Sequence, residues 1–142
     1  MRTLLALLPA AALLLAQGCG DSCTTAGTEV IPSGTPTCDG ASVGVGTAFT
    51  VAVKPACQTC VASSPTCDIS PLGTGQLQLD AKVQECDSDK GCTAPSCSFG
   101  TVSCSFTPAA SGSVQILYLA NGTTGSVTVN VGGPSPVASC TL

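Results

Sequence analysis

The chain has 142 residues, carries a formal net charge of −4, and is only 8% charged, against about 25% in ordinary globular domains. It contains 11 cysteines and neither histidine nor tryptophan. An acidic chain of this kind lacks the basic footprint that nucleic acid requires, and without histidine it lacks the usual general base of serine and cysteine hydrolases.

Met1 and Arg2 precede an apolar run from Thr3 to Ala16. That run is short of the roughly 20 apolar residues a membrane span needs, and it has the build of a signal-peptide core. It closes on Leu15-Ala16-Gln17-Gly18-Cys19. A small residue followed by cysteine, directly after a signal core, resembles the lipobox of bacterial lipoproteins. The resemblance implies cleavage before Cys19, a diacylglycerol on its sulfur and acylation of the new amino end. Two or three acyl chains hold a protein firmly to a bilayer where one would let go. Gly20, rather than aspartate, follows the cysteine, which in Gram-negative lipoproteins leans toward the outer membrane over the inner. Ala16 and Gln17 stand where that family favours leucine and a small residue. Ordinary cleavage after Gly18, with secretion, is therefore the competing reading.

Cysteine arithmetic favours the anchor independently. An odd count in a secreted protein leaves one thiol to explain. Assigning Cys19 to lipid leaves Cys23, Cys38, Cys57, Cys60, Cys67, Cys86, Cys92, Cys97, Cys104 and Cys140 as disulfide candidates. Ten cysteines allow on the order of a thousand pairings, so the connectivity is open.

The organisation expected is a signal peptide over 1–18, a lipid-anchored tether over 19–41 and a Cys-rich β-sandwich over 42–142. Residues 20–41 are rich in Gly, Ser, Thr and Pro without a period, as befits a tether pinned at Cys23 and Cys38. From Thr47 to Val53, Phe49, Val51 and Val53 alternate with smaller residues, predicting a strand. Cys57 to Pro71 reads as loop, with at most a short strand near Cys67-Asp68-Ile69. Over Gln76–Gln84, Leu77, Leu79, Ala81 and Val83 alternate with polar residues in the period of a half-buried strand. Cys86 to Cys97 is a second cysteine loop with an acidic turn. Phe99–Phe106 is a strand with Val102, Cys104 and Phe106 on one face. Ser113–Ala120 is apolar on both faces and reads as a covered central strand. Asn121-Gly122 signals a hairpin into Ser126–Val131. Cys140 is placed to staple a chain end that would otherwise fray.

No segment has a helical period, so the fold class expected is all-β, an antiparallel β-sandwich stapled by disulfides. The run from Phe106-Thr107-Pro108 through Gly112–Ile116 and Asn121-Gly122 to Val127-Thr128-Val129 resembles the closing strands of bacterial immunoglobulin-like domains. That resemblance covers about 30 residues and bears on fold, not activity.

The candidate chemistry is sparse. Cys57-Gln58-Thr59-Cys60 has redox or half-zinc spacing. A redox pair wants a helix N-terminus, and the segment after Cys60 is no helix. Zinc wants four ligands, and the chain has no histidine and no second such pair. Glu85, Asp87 and Asp89 fail the calcium-loop pattern, because Cys92 and Ser98 fall where Gly and Glu belong. Asp68, Asp80 and Glu85 do not form a glycosidase pair. Asn121-Gly122-Thr123 matches a glycosylation sequon and also a plain turn. The function expected is non-enzymatic, with no metal and no cofactor. It is that of a lipid-anchored cell-envelope protein that is structural or binds a protein or glycan partner through its cysteine loops, and has no nucleic-acid role. The alternatives are a secreted inhibitor- or toxin-like scaffold and a metal or redox protein using the Cys57–Cys60 pair.

Overall fold

The computed structural model describes residues 23–57, 62–86 and 98–142. The signal segment, Cys19, Cys60, Cys92, Cys97 and the acidic turn after Cys86 lie outside the described residues.

The described residues form an all-β sandwich of two sheets, stapled by disulfides. Its strands are β1 (Cys23–Thr28), β2 (Val30–Ile31), β3 (Ser42–Val43), β4 (Phe49–Pro55), β5 (Ala62–Gly73), β6 (Gln76–Cys86), β7 (Val102–Phe106), β8 (Gly112–Ala120), β9 (Thr123–Val131) and β10 (Ser139–Thr141). The larger sheet holds β1, β3, β5, β6, β8 and β9, and the smaller holds β2, β4, β7 and β10. Antiparallel hairpins supply the frame. Three short parallel contacts join β6 to β8, β4 to β10 and β9 to β3.

Each sheet is built on one long strand. β6 is paired over nearly its whole length by β5, while β8 takes Gln76–Gln78 and β1 takes Ala81–Cys86. In the smaller sheet β7 pairs Phe49–Val53 of β4, while β10 and β2 take Thr50–Ala52 and Lys54–Pro55. The period-two pattern explains the core between them. Phe49, Val51 and Val53 of β4 share one buried core cluster with Leu79 and Ala81 of β6 and with Val127, Val129 and Val131 of β9, and Val83 of β6 is buried as well. Phe49 sets its ring edge-on to Phe106 at 5.5 Å between centroids, an arrangement aromatic quadrupoles favour.

The β8–β9 hairpin closes on Asn121 and Gly122, with φ of 51° and 71°. Two successive left-handed residues make the turn whose twist matches the flanking strands. Four residues along, Gly125 lies opposite Tyr118. A Cβ on Gly125 would fall 2.7 Å from the Tyr118 ring, so the ring packs where only glycine leaves room.

Three expectations are corrected. The tether assigned to 19–41 is part of the domain from Cys23 onward. β1 forms a six-residue ladder with β6, then crosses to the smaller sheet as β2. At the crossing the Thr28 hydroxyl donates to the Ala56 carbonyl at 2.7 Å, and the Ala56 amide donates to the Glu29 carbonyl at 2.7 Å. Cys23–Ala26 and Gly27 bury little, so no apolar alternation marks the strand; its backbone ladder holds it. The loop assigned to Cys57–Pro71 is mostly β5. Pro65 and Pro71 look like breakers, but the β5–β6 register shifts between Ser63 and Thr66 and again between Pro71 and Gly73. Strands that bulge in this way accommodate proline. Finally, β8 is covered on one face only. Ile116 and Ala120 are buried, but Leu119 on the other face is 44% exposed.

These placements separate two leucines of similar appearance in the sequence. Leu79→Ala should destabilise the oxidised protein by about 2–5 kcal/mol, whereas Leu119→Ala should change stability by less than about 0.5 kcal/mol. Urea denaturation of the two variants checks this.

Candidate functional site

Seven cysteines fall among the described residues, and all seven are in disulfide linkage. The structure pairs Cys23 with Cys86, Cys38 with Cys140 and Cys67 with Cys104, at Cα separations of 3.9, 4.8 and 5.2 Å. Cys67–Cys104 joins β5 to β7 and so bridges the two sheets. Cys38–Cys140 is buried and ties the segment after β2 to β10, where the Ser33 and Thr37 amides also donate to the carbonyls of Leu142 and Thr141. Cys23–Cys86 links directly opposed residues at the outer end of the β1–β6 ladder. Cys57 is disulfide-bonded too, so its sulfur is not a thiolate available to zinc. Such bonds persist in an oxidising extracellular or envelope setting.

Of the carboxylates singled out in the sequence, Asp68 and Asp80 are direct cross-strand partners on β5 and β6, and Glu85 lies further along β6 opposite Ala62. The Asp68 carboxylate reaches diagonally to Lys82, two residues beyond Asp80 on β6, with Nζ 2.8 Å from Oδ2. The hydrogen bond to Asp68 comes first, and its charge second, in raising the Lys82 ammonium above the ordinary lysine range, with a smaller push from Asp80. Other carboxylates serve backbone groups. Glu29 accepts from the Gly122 amide at 2.9 Å and Asp39 from the Thr128 amide at 3.0 Å. These contacts hold the hairpin turn and β9 to the segments around β2.

The strand directions give the sandwich two distinct ends. β6 runs from Gln76 to Cys86 and β4 from Phe49 to Pro55, with β7 antiparallel to β4. Cys23, Cys57 and Cys86 therefore mark one end. The β5–β6 turn and the connection from β7 to β8 mark the other. At this second end lies an open cleft of about 620 Å³. Ile69, Pro71, Leu77, Phe106, Pro108 and Val114 supply its apolar walls, and among the described residues no charged side chain lines it. The Gln115 amide donates to the Gly75 carbonyl at 2.8 Å, fixing the β5–β6 turn to β8. Alongside, Gln76 donates to Gln115 at 3.2 Å, and Gln115 donates to Ser126 at 3.2 Å. Among the described residues the cleft thus has an apolar floor, with a neutral hydrogen-bonded row running from Gln76 beside it.

Sequence reasoning placed recognition in the cysteine loops and missed this cleft. Its walls come from two turns more than 30 residues apart in the chain, and each reads alone as an ordinary turn. No protein-family model, no curated protein and no solved structure matches the chain.

Two outcomes follow from the linkages and the ion pair. Replacing both Cys38 and Cys140 by Ala should lower stability by about 2–4 kcal/mol, since that bond closes a loop of 102 residues; denaturation under non-reducing conditions measures it. For Lys82, a raised folded-state pKa means its contribution is full below the unfolded value of 10.5 and is lost as pH climbs through the folded value. The stability difference between the wild type and Lys82→Met should therefore stay level from about pH 6 to 9 and shrink in strong alkali.

Proposed function

We propose that the chain is a non-enzymatic lipoprotein of the cell envelope, anchored through Cys19, that presents a disulfide-locked β-sandwich to an uncharged partner, protein or glycan. The observation that carries the reading is the complete oxidation of the described cysteines, set beside the signal core that ends at Cys19. With each described thiol consumed by a partner, the odd cysteine of the chain needs a separate chemical fate, and lipid attachment supplies one. Support for a binding role comes from the neutral cleft between the β5–β6 turn and the β7–β8 connection. Support for a non-enzymatic role comes from the structural use of Glu29, Asp39 and Asp68 and from the lack of any histidine. In a Gram-negative cell Gly20 after Cys19 favours the outer membrane.

Intact mass of the mature protein from native envelopes, with alkylation before and after reduction, tests the proposal. The expected result is a diacylglyceryl adduct on Cys19 and ten cysteines that alkylate only after reduction. An unlipidated chain released to the medium would instead make it a secreted disulfide scaffold. Thiols open before reduction would move the reading to metal or redox chemistry.

A further inference from the structure

We infer that the bilayer surface is the partner of the cysteine-bearing end: the anchor holds the sandwich end-on, with Cys23 and Cys86 toward the lipid headgroups and the cleft turned away. The inference rests on lipidation of Cys19.

The reach of the tether carries the argument. The first described strand begins at Cys23, and only Gly20, Asp21 and Ser22 lie between that residue and Cys19 in the sequence. Four residue steps extend at most about 14 Å. Cys23 cannot peel away to lengthen that leash, because it is bonded to Cys86 and is the first rung of a six-residue ladder. Cys86 is the last residue of β6, and the cleft is built around Gln76 and Leu77 at its start. Eleven residues of extended strand cover about 33 Å. A leash shorter than half the strand leaves the cysteine end within reach of headgroups and the cleft beyond them.

The flanks of the sandwich offer the bilayer little reason to tip the domain over. Exposed apolar residues such as Ile31, Leu72 and Leu119 lie on separate elements, and single residues of this kind are ordinary surface. Among the described residues the cations are Lys54 and Lys82, and Lys82 is already paired with Asp68. Glu29, Asp39, Asp68, Asp80 and Glu85 outnumber them, so no flank has the polybasic character that draws protein onto an anionic leaflet. Orientation is then set by the covalent anchor.

The consequence for recognition is specific. Cys57 and Cys86, the described cysteines at which the nominated segments start, are held on the membrane side, and the neutral cleft faces outward.

The chain lacks tryptophan, so one introduced indole reports alone. Thr25→Trp places it on exposed β1, and Thr74→Trp on the exposed turn at the cleft end. Thr24→Trp and Ser111→Trp are substitutes at the two ends if either fails to fold. The full-length lipidated proteins are reconstituted into phosphatidylethanolamine vesicles carrying a headgroup spin label, with flotation and intact mass recorded on the same samples. Quenching should be several-fold stronger at the Thr25 position than at Thr74. A 20-residue Gly-Ser insert between Ser22 and Cys23, with a reach of about 25 Å, should bring the two values together. Equal quenching without the insert, or stronger quenching at Thr74, in protein that floats and carries lipid would overturn the end-on orientation while leaving the anchor intact. Protein with no lipid adduct that fails to float would remove the anchor and this inference with it.

Discussion

The bond between Cys67 and Cys104 joins two sheets that have little else of great size to hold them. The chain has three phenylalanines, one tyrosine and no tryptophan. Apart from Phe49, the described interior is filled mainly by valine, leucine, isoleucine, alanine and half-cystines. Side chains of that size bury less surface apiece than aromatic rings do. In such a core a covalent tie contributes what bulk would otherwise supply, by shrinking the ensemble the unfolded chain can explore. Cys104 sits buried beside Val51, its strand partner, so the tie also occupies volume within the packing.

The same economy shapes the surface. With 8% charged residues, solubility has to come from Ser, Thr, Asn and Gln and from satisfied backbone. The outer side of β6 and β8 shows how, through the relay of Gln76, Gln115 and Ser126. Several of the described ionised groups serve structure, Asp68 pairing with Lys82 and Glu29 and Asp39 accepting from backbone amides. None of the described residues that line the cleft is charged.

What could be read in advance followed from how each strand is held. β4, β6 and β9 bury one face, and burial writes itself into residue type at every second position. The Asn121-Gly122 turn was legible because its backbone demands left-handed residues. β1 is held by ladder hydrogen bonds and a terminal disulfide, and neither selects apolar residues along Thr24–Gly27. β5 hid behind Pro65 and Pro71, which rule out a regular central strand but not a bulged one flanking β6. The all-β class was therefore open to inspection while the start of the domain was not. Cysteine pairing and the cleft bring together residues distant in sequence, such as Cys38 bonded to Cys140 and Leu77 lining the same cleft as Phe106. Local pattern carries no trace of these.

Consider how this domain bears force. A pull on the chain ahead of Cys23 would meet β1 from one end, the geometry in which hydrogen bonds of a ladder fail singly, like a zipper. The Cys23–Cys86 bond stands at the first rung. Tension crosses there into the end of β6, the strand to which β5, β8 and β1 all pair. The load is thus shared across the larger sheet before any rung of β1 is asked to carry it alone. Reduction of that one bond would turn a clamped strand into a peelable one with no change in fold.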